Sequence, residues 1–165
     1  MQWYVVHTKP KQESRALLNL ERQGFHCFLP TIPKKRVNRK AFEIVQEPLF
    51  SRYLFIELDT TLSGKSWAPI RSTLGVSKLV TFGSEPARVN PGLIDLLREQ
   101  ESVLAHNPLT QYQPGDIVRI KEGPFKGLEA VYQMDDGEMR AMVLIELLQK
   151  PTRLEVEIGN LQKVD

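Results

Sequence analysis

A single cysteine, Cys27, and three histidines are the only thiol and imidazole ligands in this chain of 165 residues. One thiol cannot close an intramolecular disulfide, so a reducing cytoplasm is the expected setting. Cysteine and histidines stand at no zinc-ligand spacing, and no metal or other cofactor is expected. Long apolar runs are missing as well. The longest, AMVLI, falls far short of the roughly 20 residues that span a bilayer, so no membrane association is expected. The start, Met1-Gln2-Trp3-Tyr4, has neither the basic nor the apolar region of a secretory leader. No glycine-rich phosphate loop follows a strand; Gly123 and Gly127 lack the lysine and helix of a nucleotide site. His26 and Cys27 adjoin on a strand and point to opposite faces, so they form no dyad. No acid, base and nucleophile converge in the sequence, which argues against an enzyme.

Charge is present, but unevenly spread. Residues 1–100 carry 15 basic and 9 acidic side chains, a balance of +6, whereas residues 101–165 carry 7 and 11, a balance of −4. Residues 9–40 alone hold 9 basic and 2 acidic side chains. A basic front and an acidic rear point to a polyanionic partner for the front. The apolar fraction of 41% is that of a globular protein, and the length allows one ordinary domain or two small ones.

Periodicity supplies the elements. WYVVHTK (3–9) alternates as a strand, and Pro10 opens a helix that Gly24 closes, with Ala16, Leu17 and Leu20 inward. FHCFLP (25–30) is a strand, residues 31–46 a basic hairpin, and YLFIEL (53–58) a central strand. A short helix is expected over 66–73 and a strand over 77–82. Asn90 caps a third helix with Pro91 at its first position, running to 101. The order predicts an α+β sandwich, with helices against a mostly antiparallel sheet, for residues 1–101. Residues 102–113 read as a linker. From Pro114 to Asp165, short strands between glycine turns, at 117–120, 128–134 and 153–158, suggest a small β-barrel.

Within that barrel segment, EMRAMVLIELLQK (138–150) satisfies two templates. Met139, Ala141, Val143, Ile145 and Leu147 form an unbroken period-two face, while Ala141, Leu144, Ile145 and Leu148 form a helical stripe. In the front half, Gln12, Arg15, Asn19 and Gln23 recur opposite the apolar stripe of the first helix, with Arg22 at their edge and Lys9 and Lys11 at its start. Such forked side chains hold phosphates and read base edges, though a merely solvated face has the same composition. Tyr53 and Phe55 lie on the face opposite Leu54 and Ile56, so the central strand is apolar on both sides and needs two covers.

WYVVHTKPKQE, EPLFSRYLF (47–55), IRSTLGV (70–76) and the PGDIVRIKEGPFKG loop (114–127) together resemble bacterial NusG-type transcription elongation factors. The segments EPLFSRYLF, IRSTLGVSKLVTFG and GLEAVYQMDDGEMR look closest to the family's specialised RfaH branch. The resemblance implies an NGN-type α/β sandwich plus a small C-terminal KOW domain. That domain is a β-barrel, or in an autoinhibited state an α-helical hairpin, so that 114–165 would switch fold. It implies a cytoplasmic monomer that binds the clamp helices of RNA polymerase through Tyr53, Phe55, Ile94 and Leu97. A hairpin in the single-stranded non-template DNA would meet Lys9, Lys11, Gln12, Arg15, Asn19, Arg22, Gln23, Arg71 and Thr73. The activity implied is operon-specific antitermination, with a small-subunit ribosomal protein recruited by the KOW domain.

In the autoinhibited state the resemblance pairs Glu47 with Arg140, and Phe125, Leu128, Tyr132, Leu144, Ile145 and Leu148 cover the polymerase patch. Leu74 departs from the family's arginine, with Arg71 as the substitute, and SGKSW (63–67) departs from its His-Thr-Thr. A general elongation factor without a recruitment element, or a ribosome-associated RNA-binding KOW protein, are the alternatives.

Overall fold

The computed structural model describes residues 1–37, 39–61, 64, 66–106 and 128–149. Five antiparallel strands make the main sheet, built around β1 (Gln2–Thr8) and β5 (Tyr53–Leu58). β1 pairs β5 from Gln2 opposite Leu58 to His7 opposite Tyr53. β2 (His26–Phe28) lies outside β5, and β6 (Val76–Leu79) and β9 (Arg88–Val89) share the other edge of β1. Alternation sends Tyr4, Val6, Leu54, Ile56 and Leu58 to one face and Trp3, Val5, Phe55 and Val89 to the other.

The first face is covered by α1 (Glu13–Arg22), through Ala16 and Leu20, and by Ile70 of α2 (Ala68–Ser72). The second face takes Leu93, Ile94 and Leu97 of α3 (Pro91–His106). Asn90 caps α3 as its sequence predicts, its Oδ1 accepting the Gly92 N–H at 2.8 Å. β3 (Thr31–Val37) and β4 (Phe42–Pro48) form a separate two-stranded ribbon, and β7 (Thr81–Phe82) with β8 (Glu85–Pro86) a second, smaller one. The α+β sandwich is therefore the fold of the front half.

Most element ends shift by one or two residues from the sequence reading, and three differences are larger or have a clear cause. α1 begins at Glu13 rather than Pro10, because Lys11 sits at φ 60 and the chain turns before it can coil. The strand expected over 77–82 breaks at Val80, whose N–H still reaches Val5 O of β1, before the β7–β8 turn. α3 continues to His106, five residues past its expected end and into the segment read as linker, because Leu104 still has core to bury against.

The rear half is helical where it is described. Residues 128–134, read as a strand in the barrel alternative, hold α4 (Leu128–Gln133), and the two-template stretch forms α5 over residues 137–149. Asp136 caps α5, its Oδ1 accepting the Glu138 N–H at 2.9 Å. The strands expected at 117–120 and 153–158, and Phe125, lie outside the described residues.

One loop position sets how closely α1 meets the sheet edge. Gly75 has φ +94, and a Cβ there would stand 2.8 Å from the backbone nitrogen of Ala16. Gly83, at φ +67, has nothing within 4 Å of such a Cβ. Gly75→Ala is expected to cost about 2–4 kcal/mol in urea denaturation, from left-handed strain plus overpacking. Gly83→Ala should cost about 1–2 kcal/mol, from the backbone alone.

Candidate functional site

Two surfaces on opposite layers collect the candidate residues. The first is cationic and centres on α1. Lys9, Lys11, Arg15 and Arg22 are exposed, as is Arg71 on α2, and Gln12 is half-buried. Asn19 and Gln23, half-buried, and Thr73, buried, are hydrogen-bonded to one another or to neighbouring backbone. Gln23 Nε2 donates to Thr73 Oγ1 at 2.7 Å and to Asn19 O at 3.1 Å, and Asn19 Nδ2 donates to Leu74 O at 3.3 Å. Thr73 Oγ1 donates in turn to Pro69 O at 2.8 Å. These three side chains tie α1 to the end of α2 and the loop after it. Glu13 supports the same end: its carboxylate accepts the Arg52 N–H at 2.9 Å, and Arg52 Nε donates to Thr8 O at 3.0 Å. The sequence pattern could not separate side chains facing water from those bonded to a neighbouring loop.

The second surface is apolar and is covered by the chain itself. Phe55, Ile94 and Leu97 are each buried to about one per cent exposure or less. They share one cluster with Leu128, Val131 and Tyr132 of α4 and with Ala141, Leu144, Leu147 and Leu148 of α5. Tyr53 and Ile145 pack at its edge, half-buried. Val131 and Leu147 escaped the sequence reading. Both fall on the buried side once the helix phase is fixed, and Leu147 had been read only in the period-two face.

Arg140 fastens this cover. The side chain is buried, with 1% exposure, and all three guanidinium nitrogens are bonded. Nη2 donates to Glu47 Oε1 at 2.8 Å, Nε to Leu49 O at 2.6 Å and Nη1 to Met134 O at 2.7 Å. Lys34 Nζ approaches the other Glu47 oxygen at 3.6 Å, so one carboxylate serves two cations. The Ser51 N–H donates to Gly137 O at 3.1 Å, and a Cβ on Gly137 would collide with Ser51 Oγ. Glycine at 137 therefore lets the start of α5 seat against the 47–52 loop.

Between β1, the 51–53 turn and α5 lies an open cavity of about 540 Å³, lined by His7, Arg52, Tyr53, Met142, Ile145 and Glu146 among others. His7 stacks on Tyr53 with ring centroids 4.9 Å apart, and its Nδ1 is buried without a hydrogen-bond partner. Burial, then the charges of Arg52 and Lys78, hold its pKa below the ordinary histidine value. On the outer edge of the sheet, burial first and Glu21 second push the Cys27 thiol up to about 12, so it stays protonated. Among the described residues no helix is long and apolar enough to cross a membrane, and no group of three potential metal ligands gathers.

One layer of the α+β sandwich thus presents a helix flanked by exposed cations, and the other an apolar platform that the chain itself covers. Residues 1–98 match the family described as "Transcription termination factor nusG". The chain belongs to the NusG family of transcription factors. It is 27% identical over 182 residues to a "Transcription termination/antitermination protein NusG" of Thermus thermophilus, covering 99% of this chain and 98% of that one. A protein of the same description from Staphylococcus carnosus is 26% identical over 175 residues, covering 98% and 95%. A solved structure described as "Domain interaction in Thermotoga maritima NusG" is similar with a TM-score of 0.45 and 20% identity, over 76% of this chain and 75% of that one.

The lowered His7 pKa sets a pH dependence. The unfolded chain binds this proton more readily than the folded one, so the contribution of His7 is intact above about pH 6.5 and declines as pH falls from there through the folded pKa. Urea midpoints measured from pH 7.5 down to 5 should fall, and His7→Asn should flatten that decline. An undiminished slope in the variant would assign the effect to other groups. Separately, Leu144→Ala, at a site with 0% exposure, should weaken docking of α5 by about 2–4 kcal/mol, read as faster hydrogen exchange of the 141–148 amides.

Proposed function

We propose that this chain is an operon-specific elongation factor and antiterminator of the RfaH kind, held in a closed state until it meets its DNA signal. The observation that carries the reading is the docking of α4 and α5 over Phe55, Ile94 and Leu97, fastened by Arg140 on Glu47. In the open state those residues with Tyr53 bind the clamp helices of RNA polymerase. Lys9, Lys11, Gln12, Arg15, Arg22 and Arg71 hold the exposed non-template strand, and Asn19, Gln23 and Thr73 brace that surface from within. Bound there, the factor suppresses pausing and termination.

Release refolds residues 114–165 into a KOW barrel that contacts a small-subunit ribosomal protein. The incomplete burial of the period-two face supports this. Met139 is 50% exposed and Val143 and Ile145 are half-buried at the edge of the core, whereas Ala141 and Leu147 are buried, so that face is only partly covered in the helical state. A barrel would turn it inward. Moving such an equilibrium from about 1:99 to 99:1 takes roughly 5.5 kcal/mol of differential binding. Four large apolar side chains buried on polymerase, at about 1.5–3 kcal/mol each, reach that before ordering costs.

A general elongation factor, active without a recruitment element, is the second reading, and the shared description of the relatives favours it.

Glu47→Ser and Arg140→Ala are each expected to shift the NMR spectrum of the rear half away from helix and to increase capture by polymerase several-fold. Tyr53→Ala, in a folded protein, should abolish capture. Unchanged spectra and capture in both latch variants would rule out the closed state as a regulator. Equal antitermination on templates with and without a pause hairpin would select the general factor.

A further inference from the structure

Among the described residues, the β3–β4 ribbon shares backbone pairing with no other strand. Its seven-residue strands pair only with each other, from Thr31 opposite Pro48 to Val37 opposite Phe42. Only the base is fixed to the body: Glu101 accepts from the Thr31 N–H and hydroxyl at 2.9 and 2.7 Å, and Ile32 joins the core. The register then sorts the two faces. Ile32, Lys34 and Arg36 lie opposite Glu47, Val45 and Glu43, which makes a charged face whose base reaches the Arg140 network. Lys35 and Val37 lie opposite Ile44 and Phe42 on the other face.

That other face stands in water. Val37 is 87% exposed, Phe42 60% and Ile44 50%, and Lys35 Nζ lies 4.9 Å from the centroid of the Phe42 ring. An exposed aromatic flanked by branched aliphatic side chains makes a flat apolar platform. The segment 34–40 holds five basic residues and no acidic one: Lys35 lies on this face, Arg39 and Lys40 follow the end of β3, and Lys34 and Arg36 lie on the reverse face. A protein partner would need an acidic surface beside its apolar one to use that charge, whereas every strand with unpaired bases carries both features. Bases stack on aromatic faces regardless of sequence, and the surrounding cations neutralise the phosphates. A duplex would bury its base faces and leave Phe42 without a partner.

We propose that this ribbon is a stacking platform for single-stranded RNA. It is separate from the α1 surface, since α1 packs on the face of the sheet that carries Tyr4 and Leu54, and the ribbon joins the core on the opposite face. The choice of RNA over DNA rests on the proposed function: if α1 holds the non-template strand, the transcript is the other single strand that a transcribing polymerase exposes.

The test uses the full chain without polymerase and labelled 12-nucleotide probes, oligouridylate and oligoadenylate, with DNA of matched sequence and a duplex as further arms. RNA should be bound, with shift changes in the NMR spectrum at residues 33–37 and 42–46. Phe42→Ala should weaken RNA binding about tenfold, and Phe42→Trp should retain it. Arg36→Gln with Lys40→Gln should make affinity less salt-dependent. Arg15→Ala should leave RNA binding unchanged. An undiminished affinity in Phe42→Ala, shift changes centred on α1, or equal affinity for the duplex would overturn the proposal. Polymerase capture and DNA-hairpin binding, measured on the same Phe42→Ala protein, should be unaffected; their absence even from the wild-type chain would count against the proposed function and leave the RNA result standing.

Discussion

Strand β5 is apolar on both faces, and a strand of that kind has to be covered twice. Leu54, Ile56 and Leu58 meet α1 and α2, which the front half supplies for itself. Phe55 faces the other way, together with Ile94 and Leu97 of α3, and α3 covers that side only in part. The remainder is closed by seven apolar side chains from α4 and α5. Exposed apolar surface costs about 25 cal/mol per Å², so this second face is unfavourable to leave bare. The front half is thus a complete fold with an incomplete surface. Whatever occupies that surface competes with the rear half of the same chain.

Hydrophobic contact alone would let α5 slide or rotate on the platform; Arg140 removes that freedom. A buried guanidinium is tolerated only where its donors find acceptors, and here the acceptors are Glu47, Leu49 O and Met134 O. Two of them belong to the segment just before β5 and one to the turn between α4 and α5, so a single side chain fixes the phase of the helix against the sheet. Replacing such a pair by apolar residues is often neutral for stability, whereas deleting one partner strands a charge. The interaction therefore acts as a register pin, and its sensitivity lies in either partner being taken away. Glu47 is only half-buried and also faces Lys34, which places the exposed side of the pin at the foot of the basic ribbon.

Much of this was legible in the sequence. The sandwich followed from alternation in 3–9 and 53–58 and from the Asn90-Pro91 start of α3. The double cover of β5 followed from Tyr53 and Phe55 lying opposite Leu54 and Ile56. Helix ends were legible only where local chemistry decides them. Asn90 is such a case; Pro10 is not, because the left-handed turn at Lys11 depends on how the chain meets Gly75 and Arg52. The inward roles of Asn19, Gln23 and Thr73 were not legible, since their partners lie some 50 residues away and a polar side chain on a helix face reads the same whether its partner is water or a loop. Val131 and Leu147 were missed because two periodicities compete in the same residues and only tertiary contact chooses between them.

That choice has a consequence for how the closed state can end. α4 has six residues and α5 spans 137–149, lengths at which an isolated helix is marginal in water. α5 also contains Val143 and Ile145, whose branched side chains favour strand, and places Met139 and Met142 largely in solvent. The rest of α5 is made of good helix formers, but at this length propensity alone does not hold a helix, and its persistence rests on the buried row Ala141, Leu144, Leu147 and Leu148 and on the cap at Asp136. A helix of this length is marginal once it leaves the platform. Undocking then favours unwinding, and an agent that competes for Phe55, Ile94 and Leu97 weakens α5 without touching it. The free energy separating the two states is then set at the interface, where one buried cation and a row of aliphatic side chains are the terms that matter.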